Sequence, residues 1–443
     1  MKKLNLLFIF LFLGFKTLFS AQNLHSSKTN AATDNFITQW DLRKGGSSAS
    51  GGLISLSFGV TVAGAVNYSW RTTDNTKSGT GTIPAAATTV TITNLPANKI
   101  VELSIEPANF RRINMDGGPE KARLTDITQW GKVVWSSMEN AFRGCSNLNI
   151  SAQDIPNLTN VLTTSYMFSS CALKNPFNID NWDVSNVTDM SYMFFGSSTF
   201  NQNIGSWNVE NVKNMSNIFA GALAFNQNIE NWDVGNVTTM LGMFQSAKAF
   251  NQNIGNWDVR KVTNMSAMFQ MATAFNQNLG RWKLNNAVEF PNMLLVSGMD
   301  CTHYSATLIG WSENVNTPSG RKLGASGRTY GTNATAARNI LVSTKGWTIS
   351  GDSAGSSACE MQTLATQTSN KSQILVYKND SDFIIKSDRL VNKVQIFDLS
   401  GRMLQEVNGS YKETKINHQN LASSIYLLKI YTESEVLNKK VIK

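Results

Sequence analysis

Five tryptophans stand at a constant spacing of 25 residues, at Trp182, Trp207, Trp232, Trp257 and Trp282. A fixed period of roughly 20–50 residues is the sequence signature of a repeat architecture. One such repeat is too small to bury its own large apolar residues, so successive repeats stack and share a core. The spacing therefore predicts a solenoid, and its function is expected to lie in the surface that the stack displays.

Other residues recur with the tryptophans and define the content of one turn. The phrase FNQN begins at residues 200, 225, 250 and 275, and Met190 and Phe194 return at the same step. Two degenerate turns, around Phe142 and Phe168, precede them at a 26-residue step. Met190 and Phe194 would share one face of a short helix that Asp189 can cap, while FNQN and WDV favour strand or extended chain. We expect about seven turns of 25–26 residues, each with a short helical turn.

Two phrases resemble a known family. AFRGCSNLNI at Ala141 and WDVSNVTDMSYMF at Trp182 resemble the BspA-like leucine-rich repeat surface proteins of bacteria, the second phrase in their 25-residue branch. The resemblance covers about residues 127–360 and implies a leucine-rich-repeat-like solenoid that serves adhesion. Lys283 follows Trp282 where other turns have Asp or Asn. The last turn is therefore expected to decay toward a cap.

The N-terminal part divides into three segments. Residues 1–21 begin with Lys2 and Lys3, continue with an apolar run broken only by Gly14 and Lys16, and end with small residues before Gln22, which predicts a secretory signal peptide. In residues 34–128, the runs LISLSFGVTV, AVNYSW and TVTITNL are separated by turn residues, which predicts a β-sandwich module. The solenoid is then predicted over residues 129–294.

The C-terminal part contains a cap, a linker and a tail. HYSATLIGW and ATAARNILVSTKGW predict two short helices that cap the solenoid over residues 295–360, and residues 361–370 form a polar linker. The tail, residues 371–443, resembles the type A sorting domain of the type IX secretion system in VQIFDL at Val394 and IYLLKIY at Ile425. This resemblance implies a small β-sandwich recognised by the type IX secretion machinery. Ser424 departs from the usual Gly before Ile425.

Charge and composition argue against several classes of function. Of the net charge of +9, the signal peptide carries +3 and the tail +4, so the middle of the chain is nearly neutral and is not expected to bind nucleic acid. No later stretch is apolar enough for a transmembrane helix. The three histidines, His25, His303 and His418, lie near no matching Cys or Glu motif. We therefore expect no enzyme activity, no metal and no cofactor.

Three sets of residues are candidates for a binding or structural role. The tryptophans could stack on carbohydrate, but a strict period favours a buried structural ladder. Asp183, Asp233 and Asp258 could hold a cation, although turn formation is favoured because Asn208 interrupts the row. The amides of the repeated phrase form rows that either bond to one another or present a polar recognition strip. These amides are Asn201, Gln202, Asn203, Asn226, Gln227, Asn228, Asn251, Gln252, Asn253, Asn276, Gln277 and Asn278.

Four cysteines in an exported chain permit disulfides. Cys145 and Cys171 occupy equivalent positions in adjacent turns, where either a bridge or a buried pair of free thiols is expected. Cys301 and Cys359 bracket the cap and could form a second bridge.

The sequence as a whole predicts a non-catalytic recognition protein, secreted or at the cell surface in association with the outer membrane. Its solenoid would bind an unknown surface protein or glycan in adhesion. The alternative is a glycan-binding accessory module for surface hydrolases.

Overall fold

In the computed structural model, the described residues form two compact units, one within residues 34–359 and the other within residues 374–442. The chain is rich in β-structure and has few helices. The predicted signal peptide and linker lie outside the described residues. The described residues are 34–45, 53–173, 177–359, 374–378, 382–398, 402–419, 421, 425–432 and 436–442.

A six-stranded and a three-stranded sheet build the N-terminal part of the first unit. Their strand orders are β4-β3-β6-β1-β8-β9 and β5-β2-β7. In β2, Leu56, Phe58 and Val60 are buried while the residues between them are partly exposed, because alternate side chains of a strand point to opposite faces. The strands are β1 (Phe36–Asp41), β2 (Leu53–Val62), β3 (Val66–Thr72), β4 (Ser78–Ile83), β5 (Thr89–Pro96), β6 (Ile100–Ile105), β7 (Phe110–Asn114), β8 (Leu124–Gln129) and β9 (Asn149–Ile150).

These sheets and the repeats that follow share one hydrophobic core, although the sequence treats them as separate modules. Strand β9 belongs to the first repeats and pairs in parallel with β8, Asp126 opposite Asn149. The ring of Trp130 lies 5.4 Å from that of Trp182, which joins the aromatic core of the sheets to that of the repeats. The sheets therefore cover the first end of the repeats, which would otherwise expose apolar surface to water.

The repeats form a stack in which each turn bonds to the next. Parallel bridges join equivalent residues in order: Thr163 to Asp189, then to Asn214, Thr239, Asn264 and Glu289. We call residues 137–290 the repeat stack. From Thr163 to Glu289 the described turns pair through these single bridge residues, so the FNQN and WDV segments are extended chain and not regular strands.

The predicted short helical turns are wrong. From Met190 to Gly196, alternate N–H groups donate to carbonyls of the next turn, such as Tyr192 N to Ser216 O at 2.9 Å. Between them, the N–H groups of Met193 and Phe195 close tight turns on the carbonyls of Met190 and Tyr192, three residues back. A helix would use all these donors within itself. The left-handed φ angles of +57° at Tyr192 and +67° at Gly196 also exclude a helix and recur in successive turns.

Aromatic rings fill the inside of the stack in parallel columns. Phe194 and Phe219 stack with ring centroids 5.8 Å apart, close to the step between neighbouring turns. Within one turn, the rings of Phe194 and Phe200 are 3.8 Å apart. Trp207 and Trp232 are parallel to within 2°. Stacking identical rings at identical positions explains why the period of the sequence is strict.

The cap closes the other end and continues the pattern of the stack. It contains the helices α1 (Cys301–Glu313) and α2 (Thr335–Asn339) and the strands β10 (Lys322–Gly324), β11 (Thr329–Tyr330), β12 (Thr348–Ser350) and β13 (Ser353–Ala354). Phe290 of the last repeat bridges in parallel to Leu323. Asp300 caps α1 by accepting a hydrogen bond from the His303 N–H. A disulfide joins Cys301 to Cys359 and ties the start of α1 to the last described residue of this unit.

The second unit is one five-stranded antiparallel sheet, where the sequence predicts a small β-sandwich. Strand β14 pairs with the first half of β15, β17 pairs with its second half, and β16 pairs along both. Two long strands therefore keep both halves in one sheet, and register shifts after Lys386 mark the change of partner. The strands are β14 (Ile374–Lys378), β15 (Asp382–Phe397), β16 (Met403–Asn417), β17 (Ile425–Thr432) and β18 (Val436–Ile442).

The Trp232→Ala variant tests the packing of the stack. Trp232 is 3% exposed, so its loss leaves a large cavity, and we expect a cost of roughly 3–5 kcal/mol in the free energy of unfolding. Lys261→Ala is the control, because this side chain is exposed and its removal is expected to cost under about 0.5 kcal/mol. Urea denaturation of the two variants measures the difference. Equal stabilities would mean that the tryptophan row does not hold the stack together.

Candidate recognition surfaces

The tryptophan row lies inside the stack. Trp182, Trp207, Trp232, Trp257 and Trp282 are all at most 4% exposed. The indole N–H of Trp207 donates to Ile179 O at 2.8 Å, and that of Trp232 donates to Ile204 O at 3.0 Å. Trp257 and Trp282 bond in the same way to the preceding turn. These rings are therefore structural and cannot stack on a carbohydrate.

The first amide of each FNQN phrase forms a ladder along the outside of the stack. The side-chain oxygen of Asn226 accepts from the backbone N–H of Asn251 at 2.9 Å and from Nε2 of Gln252 at 2.8 Å. The same pair of bonds runs from Asn226 and Gln227 to Asn201. It also runs from Asn276 and Gln277 to Asn251. The ladder ends at the cap, where Asn276 accepts from the Asp300 N–H.

The last amide of the phrase shapes the chain within its own turn. The side-chain oxygen of Asn203 accepts from the N–H of Gly205 at 3.1 Å, which is the geometry of an Asx turn. Asn228, Asn253 and Asn278 accept in the same way from the residue two positions later. Gln202 is partly exposed and also makes an interaction. The amide rows thus use their acceptors for the scaffold, which favours the structural interpretation over a recognition strip.

The aspartates of the WDV segments serve turns as well. Asp183 accepts from the Ser185 N–H at 3.0 Å, and hydrogen bonding from Ser185 lowers the pKa of this carboxyl. The Arg260 guanidinium bonds to Asp258 and lowers its pKa. Among the described residues, no group of three or more His, Cys, Asp and Glu side chains is arranged to hold a metal ion.

The structure distinguishes between the two pairs of cysteines. Cys301 and Cys359 are bridged, whereas Cys145 and Cys171 are buried free thiols, so the alternative of a bridge between adjacent turns is wrong. Burial raises the pKa of Cys171 to about 12 and that of Cys145 well above its ordinary value. Both thiols are therefore protonated at neutral pH and behave as small apolar side chains.

Sequence reasoning missed a cluster of three aromatic side chains and one arginine near the first end of the stack. The rings of Tyr166 and Tyr192 are parallel to within 5° with centroids 4.4 Å apart. The Arg143 guanidinium lies 4.4 Å above the Tyr166 ring, and Phe195 lies 5.5 Å from Tyr192. We call these four residues the aromatic column. Phe195 is 39% exposed, and both tyrosines are partly exposed.

The aromatic column occupies positions where other turns carry small or amide side chains. In the turns that follow Tyr192, the equivalent residues are Asn217, Gly242 and Ala267, and all of them share its left-handed φ. Asn and Gly tolerate this conformation, whereas a bulky residue is strained in it. The departure of Tyr166 and Tyr192 from the residues of the other turns is the sequence signal that could have revealed this group.

Family comparison agrees with the repeats. Residues 136–234 and 201–299 match the family described as "Mycoplasma protein of unknown function, DUF285". This match supports a BspA-like surface repeat protein and is compatible with a non-catalytic protein of the cell surface. Residues 363–443 match a domain of unknown function, DUF8694, over the tail. No curated protein matches the chain. Within the described residues, no helix is long and apolar enough to cross a membrane.

The Asn251→Ala variant tests the role of the amide ladder. It removes the acceptor of two hydrogen bonds, from Asn276 N–H and Gln277 Nε2, and we expect a cost of about 1–2 kcal/mol in unfolding free energy. Lys248→Ala, an exposed change in the same turn, is the control with little expected effect. Thermal denaturation compares the two. If Asn251→Ala were as stable as the control, the amides would be free to serve a partner instead.

Proposed function

We propose that the protein is a secreted or cell-surface recognition protein without catalytic activity, associated with the outer membrane. Its repeat stack is a leucine-rich-repeat-like solenoid, and it binds a partner protein in adhesion through the aromatic column. The match to a surface repeat family supports the location and the class. The aromatic column supports the binding site.

The composition of the aromatic column favours a protein partner. Tyr and Arg are the residues most enriched, with Trp, among those that dominate binding energy at protein interfaces. Phe195 adds exposed apolar area beside them. Arg143 also pairs with Asp116 at 3.2 Å, so the apolar centre has a polar rim, as protein interfaces have.

Backbone strain gives a second argument for function at this site. Tyr166 and Tyr192 have φ angles of +56° and +57°. This backbone conformation is strained for tyrosine and much less so for Asn or Gly. The stack folds with Asn217 and Gly242 at the equivalent positions, so folding does not require tyrosine there. A binding role accounts for the presence of the rings at this cost.

The proposal extends to export. The N-terminal signal peptide directs the chain across the inner membrane, and the type IX secretion machinery recognises the tail and carries the protein to the surface. The tail is a separate compact unit with its own core, built around Val394, Ile396 and Leu428, which supports its action as an independent signal. The glycan-binding accessory role is less favoured for the stack, because its tryptophans are buried.

Replacing the aromatic column with residues of other turns tests the binding site. The triple variant Tyr166→Asn, Tyr192→Asn and Phe195→Gln introduces side chains that Asn217 and Gln245 already place at these positions, so it should fold. We expect it to lose at least about tenfold in affinity for immobilised extracellular proteins that the unmodified chain binds. Asn292→Ala, an exposed change at the equivalent position of the last turn, is the control. Unchanged binding by the triple variant would exclude the column as the site.

Deletion of residues 371–443 tests export. The first unit has its own core and should remain folded without the tail, but it should stay in the periplasm. Fractionation of cells and protease treatment of intact cells locate the truncated and full-length proteins. Normal amounts of truncated protein at the surface would contradict the sorting role of the tail.

A further inference from the structure

A polar cavity of about 280 Å³ lies on the solvent-exposed face of the six-stranded sheet. Strand register creates it. Ser69 on β3 lies opposite Thr80 on β4 and opposite Ser104 on β6, so three small hydroxyl side chains form its floor. The neighbouring pair of larger side chains on the same face, Arg71 and Glu102, bounds the floor along the strands.

The wall of the cavity is a chain of hydrogen-bonded side chains. Thr82 Oγ1 donates to Asn67 Oδ1 at 3.0 Å, and Asn67 Nδ2 donates to Glu106 Oε2 at 3.1 Å. On the opposite side, Asn35 Nδ2 donates to Ser104 Oγ at 2.9 Å. These bonds hold the polar groups in fixed directions before a ligand arrives, which reduces the entropy lost on binding.

The chemistry of the lining selects the ligand. Hydroxyls, amides and one carboxylate can both donate and accept hydrogen bonds, as a polyhydroxylated ligand requires. The Glu106 carboxylate disfavours anions, and Arg71 at the edge of the floor is already paired with Glu102 at 2.7 Å, which weakens its attraction for them. A single carboxylate is too few for a calcium site. Apolar ligands would leave these polar groups unpaired.

We infer that this cavity binds one residue of an uncharged carbohydrate, with Asn67, Glu106 and the three hydroxyls of the floor bonding to its hydroxyl groups. The volume of about 280 Å³ is slightly below the range of about 300–1,000 Å³ of typical small-molecule sites, which suits a single sugar unit and not a longer chain. The site shares no residue with the aromatic column, so this inference stands independently of the partner binding proposed for the repeat stack.

A bulky substitution at the floor of the cavity tests this inference most directly. Ser69→Phe places a large ring in the cavity while the exposed strand position tolerates an aromatic residue. Thr91→Phe, on an exposed position of β5 in the other sheet, is the matched control. Saturation-transfer NMR of the full chain with glucose, galactose, mannose and N-acetylglucosamine should give a signal from at least one sugar. Ser69→Phe should abolish that signal, and Thr91→Phe should preserve it.

Further variants separate this site from its neighbours. Asn67→Ala should weaken sugar binding about tenfold, because it removes the link that orients Glu106. The triple variant of the aromatic column should bind sugar normally. Sugar binding by the cavity and partner binding by the column are therefore tested independently. Absence of a signal from all four sugars, or an undiminished signal from Ser69→Phe, would overturn the inference. Equal or stronger binding of glucuronic acid would also overturn it.

Discussion

The rest of the stack depends on the hydrogen bond that the buried indole N–H donates to a carbonyl of the preceding turn at Trp207, Trp232, Trp257 and Trp282. A buried N–H without a partner is costly, so none of these four turns is satisfied alone. Trp232 requires the Ile204 carbonyl of the preceding turn and Trp257 requires that of Ile229. This dependence fixes the register of successive turns and hence the period of 25 residues in the sequence.

The same constraint explains the two ends of the stack. The last turn offers the Leu279 carbonyl, which accepts from the indole of Trp311 in α1, so the cap helix supplies the partner that a further repeat would have supplied. At the first end, the sheets contribute Trp130 and share their core with the repeats. The recurring polar groups of the repeats bond to one another. The recognition residues that we propose therefore either depart from the repeat, as Tyr192 does, or lie outside it, as Asn67 does.

The sequence predicted the features that follow from periodicity and missed those that follow from backbone conformation. The spacing of Trp232 and its equivalents correctly predicted stacked turns with a shared aromatic interior. The spacing of Met190 and Phe194 predicted a helix, and this prediction was wrong. A chain in which every fourth residue is left-handed, as at Tyr192 and Gly196, presents the same apolar face without forming a helix. The aromatic column was missed because stacking of Tyr166 on Tyr192 depends on side-chain direction between turns. In the tail, alternation predicted strands, but only the pairing of β15 with two partners decided between one sheet and two.

Hydrogen exchange measured by mass spectrometry tests the central claim that each turn is stable only through its neighbours. The amides of Tyr192 and Asn217, which donate to the next turn, would exchange slowly and with similar opening free energies across the middle of the stack. Trp232→Ala would then accelerate exchange in the turns on both sides of the substitution as well as in its own turn. If exchange accelerated only in the turn that carries the substitution, with its neighbours unchanged, the turns would be independently stable and the account would be wrong.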